Sequence, residues 1–211
     1  MADRPSFAAY LAEGIRTFRE NPVFRKFVYA QWCSGAVLMA MPFYVVQAGA
    51  SGFDLQRIAL LLGAQMAGAL ASNFLWGWWG DYGSKGSLLQ GIAFGRVLPP
   101  LAILSAGLAP GWPAEWALPV YSAVFFVLGA LANGLTIAVI GYLMEISPDD
   151  RRPAYSGYFN AITAPAFLLP VLGGVIVMIA GLPAVFAISM LAAVAQFLIV
   201  RGMRAEGAPQ R

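Results

Sequence analysis

Apolar residues run along this chain in long blocks, without the alternation of a half-buried strand or the one-sided stripe of a soluble helix. A bilayer core of roughly 30 Å takes about 20 apolar residues per helix. Five charge-poor blocks reach that length. They are 27–52, ending before Asp54; 58–79, ending before Asp81; 87–109, holding the single charge Arg96; 117–144, ending at Glu145; and 154–200. The last is too long for one crossing, and Gly181 and Pro183 near its middle form a break. The pattern predicts an all-α polytopic membrane protein with six transmembrane helices over 27–52, 58–79, 87–109, 117–144, 154–180 and 183–200. Residues 1–26 precede them and a tail over 201–211 follows.

A helical stripe is clear in the first segment. Phe7, Leu11, Ile15 and Phe18 recur at spacings of four, four and three, opposed by Glu13, Arg16, Thr17 and Glu20. Pro5 and Ser6 suit the start of an amphipathic helix, and Asn21 with Pro22 its end. Glu13, Arg16, Arg19 and Glu20 interrupt any signal-peptide core. Two placements fit this helix: on the membrane surface with its apolar face down, or packed under the bundle.

Composition agrees with the pattern. Hydrophobic residues make up 60% and charged residues 11%, against roughly 25% charged in a soluble domain. The mean hydropathy is +0.71. There is no histidine and one cysteine, Cys33. That excludes Ser–His catalysis, His-ligated metals, haem and an intrachain disulfide, so no metal or cofactor is expected. The net charge of +3 is small, but its placement is not even. With six spans, Arg4, Arg16, Arg19, Arg25, Lys26, Lys85, Arg151, Arg152, Arg201, Arg204 and Arg211 fall on one side, Arg57 alone on the other. The positive-inside bias predicts that both termini are cytoplasmic.

Within the spans, small residues cluster at Gly63, Ala64, Ala67, Gly68, Ala69, Ala71 and Ser72, and again at Gly129, Ala130, Ala132, Asn133 and Gly134. Such runs let helix backbones approach closely in lipid. Pro42, Pro99, Pro100, Pro165 and Pro170 predict bent helices. Gln31, Gln47, Gln65, Asn73, Asn133, Thr136, Asn160, Thr163 and Gln196 punctuate the apolar blocks. Singly, each reads as an interhelical hydrogen bond; together they suggest a polar seam along spans one, two, four and five. Arg96 lies nine residues beyond Ser87, roughly 13 Å into its helix. It is either a functional site or a group that snorkels or pairs with carbonyls freed by Pro99 and Pro100. No Asp or Glu lies at mid-membrane depth, so the usual proton-relay groups are missing.

Two loops carry motifs. The first runs Trp76, Gly77, Trp78, Trp79, Gly80, Asp81, Tyr82, Gly83, Ser84, Lys85; the second runs from Glu145 through Ser147 and Pro148 to Arg151 and Arg152. Together they resemble the cytoplasmic signatures of the major facilitator superfamily of secondary transporters. Gly77 and Asp81 fit that family's spacing, Gly83 comes one residue early, and Tyr82 stands where a basic residue is usual. Glu145 and Arg152 match a second family pattern. Residues 142–174, with Gly157, Asn160, Pro165, Pro170, Gly173 and Gly174, also resemble the family's second half. The likeness spans nearly the whole chain but only half of a usual twelve-span member. It implies that Gly77, Asp81, Gly83, Lys85, Glu145, Arg151 and Arg152 form a cytoplasmic gate, with Asp81 and Glu145 latched to the basic residues in one state. It also implies that spans one, two, four and five line a path and that spans three and six lie outside.

The expected function is transmembrane movement of a small solute by a half-sized transporter of the bacterial inner membrane. Gln31, Gln47, Gln65, Asn73, Asn133, Asn160 and Thr163 are the path candidates, and Arg96 is a buried charge apart from them. The expected partners are the lipid bilayer, the solute, and either a second copy of the chain or a separate six-helix first half, with no nucleic acid. The alternative is a non-transporting remnant or assembly partner of a split or truncated transporter. An enzyme is not expected: no Ser–His pair is possible, no carboxylate pair lies at mid-depth, and Lys26 and Lys85 sit at span edges.

Overall fold

The computed structural model describes residues 7–108 and 114–207. Arg4, Pro5, Ser6, Ala109 and Arg211 lie outside the described residues, as do the side chains of Phe7, Leu11 and Arg204. Among the described residues there is no strand. The helices are α1 (Phe7–Glu20), α2 (Pro22–Leu38), α3 (Met41–Ala50), α4 (Leu55–Tyr82), α5 (Lys85–Gly95), α6 (Leu98–Leu108), α7 (Ala114–Ile146), α8 (Arg152–Thr163), α9 (Leu169–Ala180) and α10 (Leu182–Gly207). Six segments are long and apolar enough to cross a membrane: Pro22–Ala50, Leu55–Tyr82, Lys85–Ala106, Glu115–Ile146, Asp149–Ala180 and Leu182–Met203. The protein is therefore an all-α, integral, multi-pass membrane protein.

Polar caps start the helices outside the apolar blocks. Asn21 Oδ1 accepts from the Phe24 amide at 3.0 Å, Asp54 Oδ1 from Arg57 at 2.8 Å, and Ser84 Oγ from Ser87 at 3.1 Å. Each satisfies an amide that has no partner in the first turn. Between α9 and α10 the chain turns at Gly181, whose φ of +80° disfavours any side chain.

Prolines break three of the six crossings near their middles. Pro42 follows the turn at Met39 and Ala40 that separates α2 from α3, where Met39 N and Ala40 N bond three residues back. Pro99 and Pro100 follow the break between α5 and α6. Pro165 opens a 3-10 stretch over Ala164–Leu168, and Pro170 begins α9. Each proline lacks the N–H that an unbroken helix would use.

Packing follows a chain of neighbours: α4 on α7, α7 on α5 and α6, those on α10, α10 on α2, and α2 on α8 and the 3-10 stretch. The span of α4 and the span of α8 and α9 are the least enclosed. Two apolar clusters hold the bundle. One, toward the end that carries the termini, includes Phe27 stacked on Phe159 at 4.8 Å, with Tyr142 5.1 Å from Phe27. The other, toward the far end, includes Tyr44 edge-on to Phe186 at 4.9 Å, with Phe125 and Leu61.

The α4–α7 contact is the tightest. A Cβ built on Gly129 would lie 1.8 Å from the Gln65 carbonyl oxygen, and one on Gly68 would lie 2.0 Å from that of Phe126. The predicted small-residue runs act here through these two glycines, since a Cβ on Gly63 would meet nothing within 4 Å. Backbones this close also let side chains cross the seam. Trp76 Nε1 donates to the Ala130 carbonyl at 2.7 Å, and Asn133 Nδ2 donates to the Ala69 carbonyl at 3.0 Å. Gly129→Ala should therefore force the pair apart, at about 1–3 kcal/mol for overpacking. Thermal unfolding in detergent should show a clear loss for Gly129→Ala and none for Gly63→Ala.

Candidate functional site

The deepest polar group is Arg96, at the break between α5 and α6 and only 6% exposed. Its Nη1 donates to the Ser34 hydroxyl at 2.7 Å and to Gln196 Oε1 at 2.9 Å, and its Nη2 donates to the Ser34 carbonyl at 3.3 Å. Ser34 belongs to α2 and Gln196 to α10, so one side chain ties three crossings together. All three residues are buried. Arg96 neither snorkels nor turns to carbonyls freed by the prolines. An arginine carries five N–H donors; these three bonds leave two without a partner among the described residues. Its partners are hydroxyl, amide and carbonyl oxygens, with no carboxylate among them.

Arg96 also lines a cleft between α2–α3, the α5–α6 break and α7. Val37, Leu38, Met41, Tyr44, Leu131 and Ala132 form much of the wall. The cleft is small, with about 40 Å³ of internal space, and is partly open to the surroundings. Its place follows from the bends. The broken ends of α2 and α5 both border it, and the two apolar clusters close the bundle on either side. The resemblance puts the third span outside the path, yet the structure brings the guanidinium of that span to the cleft wall.

The amide and hydroxyl candidates behave differently. Among the seven, Asn73 and Asn133 meet, with Asn133 Nδ2 donating to Asn73 Oδ1 at 3.3 Å on an exposed edge of the α4–α7 pair. Asn160 is exposed on α8. Gln31, Gln47 and Gln65 are half-buried on α2, α3 and α4. Thr163 is 1% exposed and donates to the Phe159 carbonyl of its own helix at 2.8 Å. None of the seven lines the Arg96 cleft. Ser34 and Tyr44, which do help form this region, carried no distinguishing pattern in the sequence. Gln196 stood out there only as a polar residue in an apolar block.

The loop motifs make short-range contacts in this structure. Among the described residues neither Asp81 nor Glu145 makes an ion pair; both are exposed. Lys85 turns back to the Gly80 carbonyl, Arg152 pairs with Asp149 at 2.7 Å, and Arg151 pairs with Glu13 at 2.8 Å. Short-range partners on the same loop and on α1 reach the cations first. Of the motif glycines, Gly83 ends α4 where a Cβ would lie 2.7 Å from Trp79, while Gly77 has open space.

Glu13 brings α1 into this group. It accepts from Arg151 at 2.8 Å and from Arg16 at 3.0 Å. The tether is reinforced by Tyr10, whose hydroxyl donates to the Ala154 carbonyl at 3.2 Å, and by Gly14, which sits against the ring of Tyr158. The face of α1 that packs on α8 therefore includes Tyr10 and Gly14, one step round from the apolar stripe. Ile15 of that stripe remains half exposed. The small residue at Gly14 was the one sequence sign of this face.

No protein-family model, curated protein or solved structure matches the chain.

The hydrogen bond from Arg151 holds the Glu13 carboxyl below its ordinary value, with Arg16 adding to the effect. A depressed folded-state pKa means that the tether contributes fully above the ordinary carboxylate range and is lost as pH falls through the lowered value. Hydrogen exchange of the α1 amides, corrected for intrinsic rates, should therefore be slow at neutral pH and rise below about pH 4. Glu13→Gln should show the faster exchange already at pH 7.

Proposed function

We propose that the protein is a half-sized secondary transporter of the major-facilitator type. It moves a small solute across a bacterial inner membrane, with both termini cytoplasmic. Two six-helix units rock against one another, each supplying one wall of the path. The observation that carries this reading is the polar edge of the α4–α7 pair. Asn73 and Thr136 are exposed there, and Asn133 is bonded to Asn73. Asn160 adds an exposed amide on α8. Polar side chains turned outward from a transmembrane bundle are costly against lipid and ordinary against water or another helix. A second unit facing this edge encloses them.

Three further features support the reading. The spans of α4 and of α8 and α9 are the least enclosed of the six, which leaves them free to meet a partner. The eleven-to-one partition of basic residues favours cytoplasmic termini. Mid-span bends give the bundle places to flex without breaking its ends. The partner is a second copy in parallel orientation or a separate six-helix first half.

Water access decides between this reading and a non-transporting remnant. In a Cys33→Ser background, Asn73→Cys and Asn160→Cys should react with a membrane-impermeant thiol reagent in native membranes. Phe74→Cys, at a neighbouring position 85% exposed in the lone chain, should stay unreactive in lipid. Mass measurement in native lipid should show a complex of at least two chains' worth of helices. A monomer in which Asn73→Cys is unreactive from both sides contradicts transport.

A further inference from the structure

The cleft at Arg96 has a chemistry of its own. Its wall is apolar apart from the Tyr44 ring hydroxyl and the guanidinium. The guanidinium spends three N–H donors on Ser34 and Gln196 and keeps two without a partner among the described residues. Holding α2, α5 and α10 together accounts for the three bonds. It does not account for a cleft beside the cation or for the two remaining donors. The acids nearest in sequence, Asp81 and Glu115, belong to the ends of spans, and among the described residues the partners of Arg96 are all neutral. A buried cation without a counter-ion strongly favours an anion within reach.

Geometry narrows the anion. A guanidinium presents paired donors that match the two oxygens of a carboxylate, and such charge-assisted pairs are the strong ones. One cation calls for a single negative charge. Val37, Leu38, Met41, Leu128 and Leu131 offer the rest of the ligand only hydrocarbon contact. We propose that the cleft binds a small organic monocarboxylate, its carboxylate on Arg96 and its short alkyl chain against α2 and α7. This rests on the transporter reading for its purpose and names the class of solute carried.

The test uses the full chain in lipid nanodiscs, with acetate, propionate and butyrate as probes, and butyramide and chloride as controls. Equilibrium binding should show butyrate held about tenfold or more tightly than butyramide or chloride. Arg96→Gln should abolish the difference. Because Arg96 also braces three helices, Ala132→Phe serves as a second variant. Ala132 lines the cleft and takes no part in the Arg96 hydrogen bonds, so the larger ring fills the space and leaves those bonds in place. It should weaken butyrate binding to the same extent. The proposal is overturned if none of the three acids binds, if butyramide or chloride binds as well as butyrate, or if Ala132→Phe binds butyrate like the native chain. Uptake into proteoliposomes separates the two readings. Butyrate binding without uptake keeps this site and removes transport; uptake of a neutral solute without carboxylate binding does the reverse.

Discussion

A cation that lies deep in a bilayer must be solvated by the protein itself. Placing an arginine at the centre of a transmembrane helix costs roughly 2.5–3.5 kcal/mol on insertion scales, and Arg96 is nearly sealed from its surroundings. The oxygens that compensate come from Ser34 on α2 and Gln196 on α10. Three crossings are thereby committed to one geometry near mid-depth. Ser189, whose hydroxyl donates to the Val37 carbonyl at 3.0 Å, adds a second polar link between α10 and α2 close by. The third and sixth spans thus act as a brace, with the first span drawn onto it.

The prolines explain why this brace borders open space. Helices that ran straight from the cluster at Phe27 to the cluster at Tyr44 would pack along their length. Instead, α2 stops at Leu38 and α5 at Gly95, and helix resumes within a few residues as α3 and α6. Arg96 lines the cleft beside these breaks. Two apolar clusters and the polar brace lie about this cleft. A cleft so bordered is where a small ligand can be held.

The α4–α7 pair obeys a different rule. Among the described residues no ion pair joins its two helices. Gly68 and Gly129 bring two backbones within contact, and Ser72, Trp76 and Asn133 then reach carbonyls across the seam. In lipid, where burial of apolar area gives no net drive between helices, close contact and interhelical hydrogen bonds are what hold such a pair. Its outer face carries Asn73 and Thr136 beside ordinary lipid-facing residues such as Leu70 and Phe74.

The number of crossings, their helical nature and the helix breaks were all legible in the residues. A bilayer imposes length and hydropathy on each span independently, and proline acts on its own helix, so these are local properties. Asn21 and Asp54 marked only segment ends in the sequence; that they and Ser84 cap α2, α4 and α5 emerged from the structure. Which polar residues meet was decided only in three dimensions. Asn73, Asn133 and Thr163 look alike in sequence, yet the first two join across helices while the third bonds to its own backbone. Arg96 showed itself as a deep charge, but its partners lie 62 and 100 residues away, and no local pattern links them. Glu13 and Arg151 are likewise separated by 138 residues. Desolvation acts residue by residue and can be read along a chain. Hydrogen bonding and packing act between helix faces, whose rotation about each axis is set by every neighbour at once.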